Sequence, residues 1–129
     1  MTRTLLLLAL ALPSLAAAQV TRIVVPFAAG GAREVLARTF YSELGAALGE
    51  TMIIDNRPGA GSSIAADAVV NAPADGNTLL LSTTANVINT SLYVNLRFNF
   101  TKDLTPVMLV AEAPAVLIAR PNLPQRSVP

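Results

Sequence analysis

A change of hydrophobic period early in the chain does most to restrict its fold. Residues 21–26, Thr-Arg-Ile-Val-Val-Pro, are a short β-branched run closed by Pro26 and then by Gly30 and Gly31. Runs of this kind are typical of strands buried on both faces of a parallel sheet. From Ala32 to Leu48 the apolar residues recur every four positions instead, at Leu36, Phe40, Leu44 and Leu48, with Val35 and Ala47 widening the stripe. Arg33, Arg38 and Glu43 fall mostly off it. This is the pattern of an amphipathic helix, and Gly49 is well placed to end it.

The alternation then repeats. Residues 52–55 read as a second strand, followed by the turn-rich segment 56–63, and residues 64–70 are alanine-rich and helical, with Ser62 or Ser63 available as N-cap. A turn at 73–77 leads into a third buried strand at 78–82, and the polar stretch 86–92 is open between loop and short helix. Residues 107–111 and 116–119 read as two more strands, separated by Pro114. Strand and helix in alternation predict an α/β fold, a mostly parallel sheet with helices on both faces.

What the chain lacks excludes more functions than any motif includes. It has no cysteine and no histidine, so no disulfide framework and no Ser-His or Cys-His catalytic arrangement can be built. The commonest metal ligand is absent too, and no catalytic residue, metal or cofactor is expected. Nine basic and eight acidic residues nearly cancel, which leaves no electrostatic footprint for nucleic acid. Residues 1–18 have the layout of a cleavable export signal: Arg3, an apolar core from Leu5 to Leu12, a break at Pro13-Ser14, and Ala16-Ala17-Ala18 before Gln19. That apolar run is shorter than the roughly 20 residues a membrane-spanning helix needs. Three segments are therefore expected: a signal peptide at 1–18, one lobe at 19–120, and at 121–129 the start of a crossover to a further lobe.

Three loops follow the predicted strands and could hold a ligand, since open α/β sheets bind outside the carboxyl ends of their strands. The first is Phe27, Ala28, Ala29, Gly30, Gly31 and Ala32, where two glycines let backbone approach a ligand and a helix start offers N–H groups to an anion. A plain βα turn explains the same residues. The second, residues 56–63, is no phosphate loop, because no Lys-Ser or Lys-Thr follows its glycines, and no dinucleotide fingerprint, because the third glycine is absent. The third, Ser82, Thr83, Thr84, Ala85 and Asn86, offers three hydroxyls and an amide, which helix capping would also use. Glu34 and Arg33 at the start of the first helix are further candidates, although the helix dipole alone accounts for an acid there.

Particular residues narrow this further. The run Ile23-Val24-Val25-Pro26-Phe27-Ala28-Ala29-Gly30-Gly31-Ala32 resembles the opening motif of the tripartite tricarboxylate transporter receptors, the Bug family. Residues 55–61 (Asp-Asn-Arg-Pro-Gly-Ala-Gly) and 74–81 (Ala-Asp-Gly-Asn-Thr-Leu-Leu-Leu) resemble the family's second and third signatures. Residues 89–93, 102–107 and 121–124 continue in register, so the resemblance covers essentially all of the chain after residue 18. It implies the first lobe of a two-lobed periplasmic binding protein (type II) that closes on a carboxylated solute. Residues 27–32 would then form one wall and residues 82–86 another, with Asn89 a further member and Glu34 aligned with the family's aspartate. Two departures affect ligand choice. Ala29 stands where proline is usual, and Arg33-Glu34 replaces a threonine–aspartate pair.

Two functions of different class follow as expectations. One is a periplasmic receptor for small di- or tricarboxylates or related organic acids, delivering them to the membrane components of a tripartite tricarboxylate transporter. The alternative is a truncated, non-binding remnant of such a receptor. A small enzyme of flavodoxin-like shape is disfavoured by the absence of bases and nucleophile pairs.

Overall fold

The computed structural model describes residues 19–116, 118, 120 and 122; the leader read at 1–18 and most of the connector at 121–129 lie outside the described residues. Three strands, β1 (Val20–Val25), β2 (Thr51–Asn56) and β3 (Thr78–Leu80), form a parallel sheet in the order β2-β1-β3. Helix α1 (Ala32–Leu48) crosses from β1 to β2, and α2 (Ser63–Val70) from β2 to β3, preceded by a 3₁₀ turn at Ala60–Ser62. Helix α3 (Thr84–Leu92) follows β3. The first crossover moves one way along the sheet and the second moves back past β1. Right-handed connections in opposite directions place α1 and α2 on opposite faces.

The central strand carries the core. Ile23, Val24 and Val25 are buried, and so is Met52 on β2. Ile23 and Val25 gather with Ala37, Met52 and Leu81, and Phe27, Phe40, Tyr41 and Leu44 pack around them. Val24 points to the other face by the two-residue period of a strand. There the small residues Ala65 and Ala66 of α2 are fully buried. Burying each valine stabilises the fold by about 1.5–3 kcal/mol, so β1 alone supplies much of what holds the sheet to its helices.

Helix α1 has the expected limits, and Gly49 ends it in the left-handed conformation (φ 70°) with its N–H donating to the Gly45 carbonyl. Its buried face differs from the expected stripe. Leu48 and Val35 are 56% and 50% exposed, whereas Glu34, Ala37 and Gly45 are buried. The closest line of approach runs through small residues because the helix sits low on the sheet. A Cβ at Gly45 would lie 2.9 Å from the Glu50 carbonyl oxygen and 3.1 Å from Met52 Cγ.

Among the other expectations, those of strands at 107–111 and 116–119 need correction. Ser62 takes the N-cap position of α2, but in a left-handed conformation (φ 78°) and with no hydrogen bond from its hydroxyl to the helix. The stretch 86–92 is helical, and α3 starts two residues before it at Thr84. Residues 107–111 form no strand, and Val107 is 78% and Leu109 71% exposed. Their composition suits a strand, but no described strand lies beside them to complete a ladder. Val116 and Ile118 are likewise outside any strand, while residues 117 and 119 lie outside the described residues.

Candidate functional site

The order β2-β1-β3 reverses at β1, and the carboxyl ends of β1 and β3 leave the sheet side by side. Val24 pairs with Leu80, and the Leu81 N–H donates to the Val24 carbonyl at 2.9 Å. The loop after β1 and the loop after β3 therefore lie side by side at the end of the sheet where doubly wound folds take their ligands.

Loop one is open but held at both ends. Phe27 packs its ring against the core, and its carbonyl accepts a 2.9 Å hydrogen bond from Asn56 Nδ2 at the end of β2. Ala28, Ala29 and Gly30 are exposed. Gly30 has φ +85°, where an L side chain is strained. Gly31, in extended conformation, occupies the N-cap of α1 with no side-chain cap. Glu34, only 2% exposed, turns back toward the loop: one carboxylate oxygen accepts the Gly30 N–H at 3.3 Å and the other pairs with Arg38. Its charge is thus satisfied within the chain. Ala32 and Arg33 lie in the first helical turn, where N–H groups have no acceptor inside the helix. The Arg33 guanidinium lies over the Phe27 ring, 4.5 Å from its centroid.

The loop after β3 mixes exposed and buried groups. Ser82 and Thr84 are exposed, Thr83 and Ala85 half-buried. Asn86 and Asn89 are 3% and 5% exposed, and their amides are engaged within the chain. Asn86 Oδ1 accepts the Thr83 N–H at 3.0 Å, the reciprocal arm of a capping box, while its Nδ2 donates to the Ser62 carbonyl at 3.1 Å. Asn89 Nδ2 donates to the Gly61 carbonyl at 2.5 Å and to Ser63 Oγ at 3.0 Å.

These two asparagines hold an unusual turn. Ala60, Gly61 and Ser62 all have positive φ, at 44°, 59° and 78°. For the two non-glycine residues this costs about 1–2 kcal/mol each, and the three bonds from these asparagines to residues 61–63 offset a strain that local sequence would not sustain. Sequence reading singled out Asn86 and Asn89 as ligand contacts. In this structure both amides are bonded to the second loop, and the Asn56 amide ties the ends of β1 and β2 together. Asn56 stands in the second signature motif and opens the second loop, but local pattern does not show what it bonds to. Its partner is 29 positions away.

A separate concavity of about 370 Å³ lies between the 3₁₀ turn and the end of α3, lined by Ala60, Ser63, Tyr93 and Leu96 among others. It is broad and open and shares no residue with loop one. The strand ends and the start of α1 converge elsewhere, at the carboxyl end of the sheet.

Comparison with known proteins bears on the family and the fold. Residues 36–129 match the family model "Tripartite tricarboxylate transporter family receptor". BugT of Bordetella pertussis is 38% identical over 104 residues, covering 79% of this chain and 32% of that protein. A UPF0065 protein from the tcbD–tcbE intergenic region of Pseudomonas sp. (strain P51) is 37% identical over 95 residues, covering 74% and 28%. The chain thus spans about a third of the length of the curated relatives it matches. Among solved structures, MatC from Rhodopseudomonas palustris with bound malate superposes with a TM-score of 0.66 at 36% identity, over 70% of this chain and 31% of that one. A protein described as a periplasmic transporter gives 0.60 at 32% identity, over 64% and 28%. The parallel sheet and its helices are accordingly part of a periplasmic-binding-protein fold, and the chain belongs to the tripartite tricarboxylate transporter receptor family.

Proposed function

We propose that the chain is the first lobe of an exported solute receptor that holds a small carboxylate in the crevice between the loops after β1 and β3. The observation that carries this is their adjacency: residues 27–32 and 82–84 leave neighbouring strands at one end of the sheet, glycine-rich backbone on one side and exposed hydroxyls on the other. A carboxylate oxygen would accept from the first-turn N–H groups of α1, where the helix macrodipole presents roughly half a positive charge. Ser82 and Thr84 would hydrogen-bond the remaining oxygens. Asn86, Asn89 and Glu34 would shape the walls rather than touch the ligand, since each is buried and already bonded within the chain.

Family membership and the malate-bound MatC structure support a carboxylate over a neutral solute. In the whole receptor a second lobe would close the crevice and the loaded protein would deliver its solute to the membrane components of a tripartite tricarboxylate transporter. Residues 1–18 would direct it to the periplasm and be removed there. The test is calorimetric titration of the receptor, isolated from the periplasm of its own host, with malate, succinate and citrate. Saturable one-to-one binding of at least one acid is expected. A folded receptor silent toward all three would reject this reading in favour of a non-binding remnant, and its intact mass would show whether residues 1–18 had been removed.

A further inference from the structure

The charges around loop one do not cancel. Glu34 is buried and paired with Arg38, so the first two turns of α1 present one cation without a carboxylate partner among the described residues: Arg33. It is also a residue that helix physics disfavours at this place, because a cation in the first turn opposes the macrodipole. Residues that break a local rule without a structural return are where function is sought. The side chain has one neighbour that orients it, the Phe27 ring. Phe27 packs one part of its ring on the core and offers a face to the Arg33 guanidinium, 4.5 Å from its centroid. Stacking occupies a guanidinium's face and leaves its in-plane N–H groups free for a bidentate carboxylate pair. Both residues flank the same exposed Ala28-Ala29-Gly30 backbone.

We infer that Arg33, held on the Phe27 ring, is a specificity-determining residue that pairs with a second carboxylate of the ligand, so that the receptor selects dicarboxylates over monocarboxylates. This rests on the carboxylate reading of the crevice. One carboxylate takes the first-turn N–H groups of α1, and the other takes the guanidinium edge. An acid of the same length with one end uncharged loses only the second contact.

The experiment compares succinate with butyrate, and malate with 3-hydroxybutyrate, by calorimetry on the receptor isolated from its host's periplasm and on Arg33→Gln and Arg33→Lys variants. Arg33 is exposed, so both variants should keep the wild-type melting temperature to within a few degrees, which thermal denaturation checks. Wild type should prefer each dicarboxylate. Arg33→Gln should lose about tenfold, equal to 1.4 kcal/mol, on the dicarboxylates and change the monocarboxylates by no more than about twofold, with Arg33→Lys between. An equal loss on both kinds of acid, or none, overturns the role given to Arg33 and leaves the carboxylate reading standing. Binding of neither kind by wild type overturns both.

Discussion

Asp55 accepts from two arginines at once: Arg22 Nη1 at 3.0 Å from the neighbouring strand and Arg57 Nε at 2.9 Å from the loop beyond. Partial burial, the largest single influence, pushes its pKa up. The two hydrogen bonds and the two positive charges together outweigh it and hold the carboxyl below the ordinary aspartate value. A lowered folded-state pKa means that the carboxylate stabilises the fold fully above the unfolded value of about 4, and that this contribution is lost as pH falls through the folded value. Urea midpoints should therefore fall between pH 5 and the acid end of the transition, and Asp55→Asn should flatten that fall while lowering the midpoint at pH 7. An unchanged acid slope in the variant would show that other carboxylates carry it. The pairing joins β1 to the start of the second loop, and only part of it was visible beforehand. A lone aspartate at a strand end can be read from sequence, but its partner Arg22 is 33 positions away, brought close by strand register.

At the scale of elements, the period of a pattern proved legible and its phase only in part, since Phe40 and Leu44 of the expected stripe pack on the core while Val35 and Leu48 do not. Alternating strand and helix, the bounds of α1 and its stop at Gly49 follow from residues a few places apart. Which face of α1 turns inward depends on how closely the helix approaches the sheet, a tertiary matter. A hydrophobic stripe assigns the largest side chains to the core, whereas the closest approach here runs through Ala37 and Gly45. The same limit hid the duty of Asn86 and Asn89. Polar residues on a short helix look like surface or site until the strained turn at Ala60–Ser62 folds under them. A pair of substitutions separates the two faces. Gly45→Ala adds a methyl against the Glu50 carbonyl and Met52. It should destabilise by about 1–3 kcal/mol, despite a gain in helix propensity near 1 kcal/mol. Leu48→Ala, on the side exposed by 56%, should stay within about 0.5 kcal/mol. Chemical denaturation measures both, and the opposite ranking would restore the leucine stripe as the buried face.

For the molecule as a whole, the parallel sheet has two unlike ends, and function is assigned to one of them. Strand order β2-β1-β3 brings the loops after β1 and β3 together at the carboxyl end, while the turn before β3 lies at the amino end. Two glycines provide a matched comparison. Gly30 (φ +85°) lies in loop one and Gly76 (φ +83°) in the turn that leads into β3, and at neither would a Cβ meet any atom within 4 Å. Replacing either by alanine imposes the same left-handed strain, about 1–2 kcal/mol, with no clash to complicate it. Both variants should lose a few degrees of melting temperature, and by similar amounts. Their effects on solute should diverge. The methyl of Gly30→Ala stands on backbone that the carboxylate approaches and should weaken binding by about tenfold, 1.4 kcal/mol; Gly76→Ala, at the far end of the strands, should change it by less than about twofold. Because the stability cost is shared, only the position of the ligand can separate the two affinities. Equal affinities would move the ligand away from the carboxyl end of β1 and return Gly30-Gly31 to the role of an ordinary turn.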